Sequence, residues 1–358
     1  MSPEFHEPRF QTRPPDRRRF VADTLRKQII SGELSPGSRL PTRLILEPLF
    51  DVSTVTLQRG IDCLAREGFV YSDGRKGTFV SEHPAHLHHF ALIEPGFSDY
   101  SRYWNVLAQV HSLAAEFLAP SRISIHRSID GRPDNEDYNK LVKDVEHQRV
   151  AGLIFGNNPC SLQNSALLEQ TRVPCVAVSA EQTIPGLPVV MHDGESFLAK
   201  ALDHFVEHGR RKIAMIGGFI NQPAFYRILE RGLVSRGMEM PSYWRLHSNI
   251  HEPQGVRNMA HLLMRKSRSE PSPDGVLILD DTVLESALLG MMDAGARPPD
   301  DVHVIAMTNF PWAPSKVLPV RRLGYDTIEL LQTCIQILKA QTEGRKDNTS
   351  VRLLIEQG

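Results

Sequence analysis

Residues 51–70 read DVSTVTLQRGIDCLAREGFV, and the fold of the first part of the chain turns on this stretch. Leu57, Ile61 and Leu64 stand at i, i+4 and i+7, the spacing of one buried helical face. Asp51 to Ser53 form a turn ahead of the helix, and Gly68 stops it after Glu67. Thr56, Arg59, Cys63 and Arg66 fall on the opposite face. The first turn, Ser53-Thr54-Val55-Thr56, sets short hydroxyl side chains at a helix N-terminus, the end of the dipole that favours phosphate.

Working outward, Phe20, Val21, Leu25, Ile29 and Ile30 recur at helical spacing between Arg17 and Ser31, and Gly32 ends that helix. SPGSRLP (35–41) is a turn-rich connector. Thr42 can cap a short second helix running through Leu49, with Pro48 near its end. FVYSDGRKGTFV (69–80) places two β-prone runs around Asp73-Gly74-Arg75-Lys76-Gly77, a hairpin signal. Residues 17–81 therefore read helix, helix, helix, hairpin. A projecting third helix can put Ser53, Thr54 and Thr56 on phosphates or base edges, and Gln58 on an adenine edge. Arg39, Arg43, Arg75 and Lys76 would flank the duplex at the phosphates, and Thr42 and Arg59 are further DNA-binding candidates. A solvated polar face is the plain alternative for one such helix. The three-helix order, the turn before the third helix and the basic hairpin tip together favour DNA.

The whole chain has 358 residues, 41% hydrophobic and 23% charged, with a formal net charge of -1. That is globular composition, long enough for two or three cores, with no global field toward nucleic acid or membrane. Basic excess is local: Arg9, Arg13, Arg17, Arg18, Arg19, Arg26 and Lys27 face only Asp16 and Asp23 up to Ile30. Cys63, Cys160, Cys175 and Cys334 form no CxxC pair and read as buried or idle thiols in a reducing compartment. No apolar run approaches a membrane span, and the first residues lack an apolar signal core. The expectation is a cytoplasmic protein without a membrane partner.

Residues 17–81 resemble the winged-helix DNA-binding domain of the GntR family of bacterial regulators. The resemblance is carried by LRKQIISGELSPGSRLPTR (25–43), FDVSTVTLQRGIDCLAREGFV (50–70) and GRKGTFV (74–80). It implies DNA contacts at Ser53, Thr54, Thr56, Gln58 and the wing tip, Gly74 and Arg75. The family usually has an arginine two places after the Ser or Ala that follows Leu-Pro. Here Thr42-Arg43-Leu44 brings it one position early, and Thr54 and Gln58 stand where arginines are common. This implies a different operator sequence, or more reliance on the wing and the 1–16 arm, which is polar, proline-bearing and expected to be flexible.

After a linker at 82–88 the pattern becomes alternating strands and helices. Strand candidates are FALIE (90–94), RISIHRSI (122–129), AGLIFG (151–156), CVAVS (175–179), PVVM (188–191), KIAMIG (212–217), GVLILD (275–280) and VHVIAM (302–307). Helical patterns lie near 103–118, 137–148, 194–208, 225–236, 254–266 and 283–294. This alternation means parallel sheets with helices on both faces, and its length suggests two lobes. The fold class expected is α/β: an N-terminal winged helix-turn-helix plus a two-lobed, doubly wound parallel domain spanning 89–358. Lobe 1 is assigned to about 89–191 and 324–345, and lobe 2 to about 193–310 and 349–358.

The 89–358 region resembles the LacI-type effector domain, which has the periplasmic-binding-protein fold. LPVVMHDGESFLAKALDHFVEHGRRKIAMIGG (187–218) carries most of the resemblance, with Asp193, His204, Gly209, Arg211 and Ile213 in family positions. AGLIFGN (151–157), TRVPCVAVS (171–179), PDGVLILDDTVLESALLGMMDAGARPPDDVHVIAM (273–307) and VRRLGYDTIELLQTCIQIL (320–338) add to it. The resemblance implies three crossovers between lobes and a carbohydrate-like effector in the cleft. Strand ends line such clefts, which nominates Phe97, Tyr100, Asn157, Asp193, Asn221, Phe225, Arg227, Asp280, Asp281, Asn309 and Trp312. Two departures bear on the effector. FYRILERGLV (225–234) lets either Phe225 or Arg227 fill the family's arginine position, and Met307-Thr308-Asn309 replaces an acidic strand end. A standard hexose mode is thus not implied.

Rival classes are weaker. GxxxxGK[ST], GxSxG and HExxH are all absent, and Asp280-Asp281, adjacent at a strand end, would point in different directions. No enzyme activity and no cofactor are expected. His83, His86, His88 and His89 cluster in the linker without a Cys or acidic partner at ligand spacing, and read as solvated histidines rather than a metal site. The expected function is a sequence-specific DNA-binding repressor, homodimeric, controlled by a small effector. The alternatives are a sensor whose DNA head has degenerated, or an enzyme using the cleft.

Overall fold

The apolar stripes of three short helices and a hairpin close on one another at the start of the chain. In the computed structural model, which describes residues 16–95, 115–169, 173–178, 184–217, 223–247, 252–265, 271–311, 320–345, 351–353 and 356–357, these are α1 (Arg17–Ile30), α2 (Arg43–Phe50) and α3 (Thr54–Glu67), followed by β1 (Val70–Asp73) and β2 (Gly77–Val80). Val21, Leu25 and Ile29 of α1 meet Leu46 and Phe50 of α2 and Leu57, Ile61 and Leu64 of α3 in one buried cluster. A Cβ at Gly60 would lie 2.9 Å from Val21 Cγ1, so the missing side chain lets α1 and α3 approach closely. Phe20, expected on the apolar face of α1, is 56% exposed and meets only the edge of Phe50, while Arg26 takes the interior position.

Local signals set the ends of these helices. Asp16 caps α1 by accepting from Arg19 N. Gly68, at φ +81, ends α3 in the left-handed conformation glycine adopts freely. Thr42 occupies the N-cap of α2, but its side chain makes no capping hydrogen bond, contrary to expectation. Pro48 stays inside α2, which ends two residues later. β1 and β2 pair antiparallel, Val70 with Val80 through Asp73 with Gly77. The connector adds a third rung at the edge of β2, through Leu40 N to Thr78 O and Val80 N to Ser38 O.

The chain divides into two compact units. One holds the residues up to His89 together with Lys143–Ala151, and the other holds Phe90–Val142 and the chain from Gly152 on. The second unit contains two six-stranded sheets of matching topology. The first has the order β13-β7-β6-β5-β3-β4, built from β3 (His89–Pro95), β4 (Arg122–Ile129), β5 (Gly152–Phe155), β6 (Cys175–Val178), β7 (Val189–His192) and β13 (Val351–Leu353). The second has the order β14-β12-β11-β10-β8-β9, built from β8 (Ile213–Gly217), β9 (Arg245–His247), β10 (Gly275–Ile278), β11 (His303–Phe310), β12 (Arg321–Asp326) and β14 (Glu356–Gln357). β12 and β14 are antiparallel; β8 with β9 and β10, β11 with β10 and β12, and β6 with β5 and β7 are parallel. Helices alternate with the strands: α4 (Glu136–Glu146), α5 (Gly194–Glu207), α6 (Pro223–Ser235), α7 (Pro253–Met264), α8 (Leu284–Asp293) and α9 (Thr327–Thr342).

The doubly wound α/β class is therefore present, but the lobe boundaries need correction. Residues 324–326 belong to β12 of the second sheet, not to lobe 1, because β12 pairs with β11. Residues 351–353 belong to the first sheet, not to lobe 2, because β13 pairs with β7. The crossovers thus follow His192, Asp326 and Leu353. The central strands are wholly buried, β5, β6, β8 and β10 along their whole length, as continuous apolar strands covered on both faces should be.

Candidate nucleic-acid interface and effector cleft

The reading turn of α3 is built from its own cap. Ser53 Oγ accepts from Thr56 N at 3.4 Å and lies 3.1 Å from Thr56 Oγ1. These two hydroxyls stabilise the helix start and leave Thr54 and Val55 as the outer corner. Val55 is 61% exposed. Sequence reading passed over it as an ordinary apolar residue, yet its methyl groups are the kind that meet a thymine methyl.

Behind that corner Gln58 is held at both ends. Its Oε1 accepts from Arg43 Nη2, and its Nε2 donates to Asp62 Oδ1 at 2.7 Å. The adenine-pairing role expected of Gln58 would have to use the second lone pair of Oε1 and the second N–H of Nε2, since one of each is already engaged. Cys63, expected on the polar face, instead packs against the core, and its thiol donates to Glu67 Oε1 at 3.3 Å. Burial, then the Glu67 charge, pushes that thiol's pKa up.

The cations differ in how far they are free to meet phosphate. Arg59 and Arg75 are exposed and, among the described residues, pair with no acidic group. Lys76 is exposed but bonded to Asp73 at 3.1 Å, and Arg17 is bonded to Asp51 at 3.2 Å. Arg39 lies across the wing: a Cβ at Gly77, whose φ is +119°, would sit 2.8 Å from Arg39 Nε. That close approach, with the left-handed backbone, explains the glycine that opens GTFV. Gly74, also at positive φ, forms the wing tip with Arg75.

Beneath this face lies a buried ionic cluster that sequence reading missed. Glu67 Oε2 accepts from Arg26 Nη2 at 2.5 Å, and its Oε1 pairs with Arg149 Nη2 at 2.8 Å. Arg26 also bonds Asp23, and Arg149 also bonds Asp144. The i, i+3 spacing of Asp23 and Arg26 was legible; the long-range partners were not.

In the second unit each sheet reverses winding at one point, between β3 and β5 and between β8 and β10. Carboxyl ends at such switch points form ligand crevices in open α/β sheets. Asn157 follows β5 there, with Oδ1 buried and without a hydrogen-bond partner among the described residues. Asp280 and Asp281 follow β10 and diverge. Asp280 accepts from Thr282 N at 2.8 Å, while Asp281, 3% exposed, accepts from Asn309 N at 3.1 Å and Asn309 Nδ2 at 3.4 Å. The structure thus brings Asp281 and Asn309 together.

Asp193 caps α5 by accepting from Ser196 N at 3.1 Å. Beside it the rings of His192 and Tyr325 lie 4.2 Å apart, joining two crossovers. Burial lowers the His192 pKa to about 4. Burial, then the Asp193 charge, raises that of Tyr325. Phe225 packs edge-on against Tyr226, and Arg227 is exposed. Phe97, Tyr100, Asn221 and Trp312 lie outside the described residues, as do most of the 1–16 arm and most of the expected 103–118 helix. Glu94, 5% exposed near the end of β3, was overlooked, although FALIE ends in this carboxylate. So was the pair Tyr226 and His247, 3.1 Å apart, because β9 is too short to read as a strand.

Two cavities, of about 290 and 460 Å³, open elsewhere in this unit. They are lined around Trp244 and Met259 and around Asn164 and Gln341, and by none of the nominated residues.

The head and the body each define a class: a winged helix-turn-helix and a two-sheet fold of the ligand-binding-protein type. Comparison with known proteins gives the families. Residues 17–80 match bacterial regulatory proteins of the gntR family, and residues 202–356 match the periplasmic binding protein-like domain. The chain therefore joins a GntR-type helix-turn-helix domain to a periplasmic-binding-protein-like domain. It is 23% identical over 189 residues to catabolite control protein A of Staphylococcus epidermidis, covering 52% of this chain and 55% of that protein. It is 20% identical to the arabinose metabolism transcriptional repressor of Geobacillus stearothermophilus, over 88% of each. The chain spans about half the length of several of the relatives it matches, 55% for the first of these. The body shares its fold with a LacI family transcriptional regulator from Bifidobacterium animalis subsp. lactis, at a TM-score of 0.57 and 18% identity, over 76% of this chain and 96% of that one. The Geobacillus relative is named as a transcriptional repressor and the Bifidobacterium neighbour as a transcriptional regulator.

Among the described residues no helix is long and apolar enough to cross a membrane.

Proposed function

We propose that the protein is a cytoplasmic, homodimeric transcription repressor that binds operator DNA through its head and releases it when a small carbohydrate-like effector occupies the cleft of its body. The observation that carries this reading is the start of α3, with Ser53, Thr54 and Val55 exposed and Thr56 half-buried, together with the exposed arginines Arg43, Arg59 and Arg75. Ser53, Thr54, Val55 and Thr56 would meet the major groove, and Arg39, Thr42, Arg43, Arg59, Gly74, Arg75 and Lys76 the backbone. Two heads on one dimer match a pseudo-palindrome.

In the body, Asn157, Asp280 and Asn309 would contact the effector, with Asp281 and Asp193 holding them in place and Phe225 or Arg227 at the rim. The orphaned Asn157 Oδ1 supports a polar ligand, since a buried acceptor without a partner costs about 1–3 kcal/mol until something donates to it. Closure on ligand would change the separation of the two heads. The domain limits proposed are 17–81 for the head, 82–88 for the linker and 89–358 for the body.

The test has two arms. Selection of genomic fragments by the purified protein, read across salt concentrations, should return a palindromic site with strongly salt-dependent affinity. A thermal-shift screen of sugars and sugar derivatives should then find a compound that raises the melting temperature and weakens operator binding. No duplex binding at low salt would leave a sensor with a degenerate head.

A further inference from the structure

On the second sheet, at the end opposite the carboxyl-end crevice, three imidazoles converge. His204 lies near the end of α5, His208 follows one turn later, and His303 opens β11. The ring centroids of His204 and His208 are 4.1 Å apart, those of His208 and His303 4.4 Å, and those of His204 and His303 5.3 Å. One ligand atom from each lies within 4.8 Å of the others. We propose that His204, His208 and His303 form a binding site for a divalent transition metal ion of the zinc type, with a fourth position open to solvent.

The nitrogen inventory supports a cation. His208 Nδ1 lies 2.8 Å from the His204 carbonyl oxygen. A carbonyl only accepts, so Nδ1 carries the proton and Nε2 keeps its lone pair. This is the outer hydrogen bond that fixes the tautomer of metal-bound histidines. His204 Nε2 and His303 Nδ1 are both buried and have no hydrogen-bond partner. Two such nitrogens, on rings whose centroids are 5.3 Å apart, are each costly unless something donates to them or binds them.

Geometry fits the same occupant. The i, i+4 spacing of His204 and His208 sets two ligands on one helical face, and His303 supplies the third from a strand. Three histidines with an open fourth position is an established zinc arrangement, with Zn–N of about 2.0–2.1 Å. Tetrahedral bonds of that length place the nitrogens about 3.3 Å apart, so modest ring rotation from the present positions closes the site. His208 is exposed and gives access, whereas His204 and His303 are half-buried. Two cations act on the cluster, Arg210 on His303 and Arg321 on His204, and Arg210 is engaged at the carbonyls of Pro299 and Asp300. A bound ion would clip the end of α5 to the start of β11.

The experiment uses full-length, tag-free protein stripped with a chelator and titrated with zinc chloride or cobalt chloride. One equivalent per chain should bind. Zinc should raise the melting temperature by about 5 °C, and cobalt should develop the visible absorption of a tetrahedral site. His208→Gln is an exposed change that leaves the core intact, and His303→Ala removes the strand ligand. Each should weaken binding at least about tenfold, whereas His83→Gln in the linker should leave it unchanged. The proposal is overturned if the wild type binds no stoichiometric metal, if both site variants bind as the wild type does, or if the linker variant removes the binding.

Discussion

Arg43, the first residue of α2, donates a hydrogen bond to Gln58 Oε1, while Gln58 Nε2 donates to Asp62 Oδ1 at 2.7 Å. Gln58 thus acts as a strut that holds an arginine across the two helices of the proposed DNA face. A strut and a base reader fail differently. Gln58→Ala should weaken operator and non-specific DNA alike, about fivefold, the scale of one ordinary hydrogen bond. Combined with Arg43→Ala it should cost little more than Arg43→Ala alone, since neighbours in one network are non-additive. Binding curves on the operator and on single-base variants test this. Relaxed preference at one base pair, with non-specific affinity intact, would show Gln58 reading a base instead.

The free cations should outweigh the paired one. Among the described residues Arg59 and Arg75 have no acidic partner, and Lys76 is bonded to Asp73. Each phosphate contact contributes about 0.9 to the slope of log affinity against log salt. Arg59→Ala and Arg75→Ala should each lower that slope by about that amount. Lys76→Ala should lower it less, because Asp73 already offsets the charge. Titrations at several salt concentrations decide it, and equal slopes for all three variants would contradict the ranking.

How much of this was legible depended on the range of the interactions. Leu57, Ile61 and Leu64 follow from local periodicity and lie in the head's core as expected. The strands FALIE and KIAMIG were read from apolar runs that fill buried sheet positions. β12 escaped because RRLGYD carries two arginines and a glycine, and β13 and β14 because they are too short to leave a periodic signal. The misplaced lobe boundaries follow from those omissions. In the sites, Cys63 was misplaced because its partner, Glu67, lies one turn on and inward. The three-histidine cluster was invisible because His303 comes far along the chain from His204 and His208. The linker histidines drew attention by adjacency alone, yet His86 is not solvated: it stacks on Phe69 with ring centroids 5.7 Å apart.

That stacking makes the head acid-sensitive. Burial, then the neighbouring His88, lowers the His86 pKa from 6.5 to about 4. The group is neutral when folded and takes up a proton when unfolded once the pH drops below 6.5. Its contribution is therefore fully present above pH 6.5, falls as the pH falls toward 4, and levels off below. The loss reaches about 3 kcal/mol at most. His86→Phe keeps the stacked ring and removes the titration. Chemical denaturation of wild type and variant at pH 7 and pH 4.5 should show a smaller loss in the variant, by about 2 kcal/mol. An equal loss in both would mean that His86 titrates normally.

In the effector cleft, Asp281 should matter more than its distance from any ligand suggests. It is 3% exposed, and it accepts from both the main chain and the side chain of Asn309. Asp281→Ala strands a buried N–H and releases the Asn309 amide, at a cost of about 2 kcal/mol, which for a body of this size lowers the melting temperature by about 4–8 °C. Asn309→Ala leaves Asp281 its backbone donor and should cost less. Both variants should lose most of the thermal shift given by the cognate effector, because Asn309 is either absent or unplaced. Melting curves with and without effector separate the two effects. If Asp281→Ala melts lower but keeps the full effector shift, Asn309 does not contact the ligand.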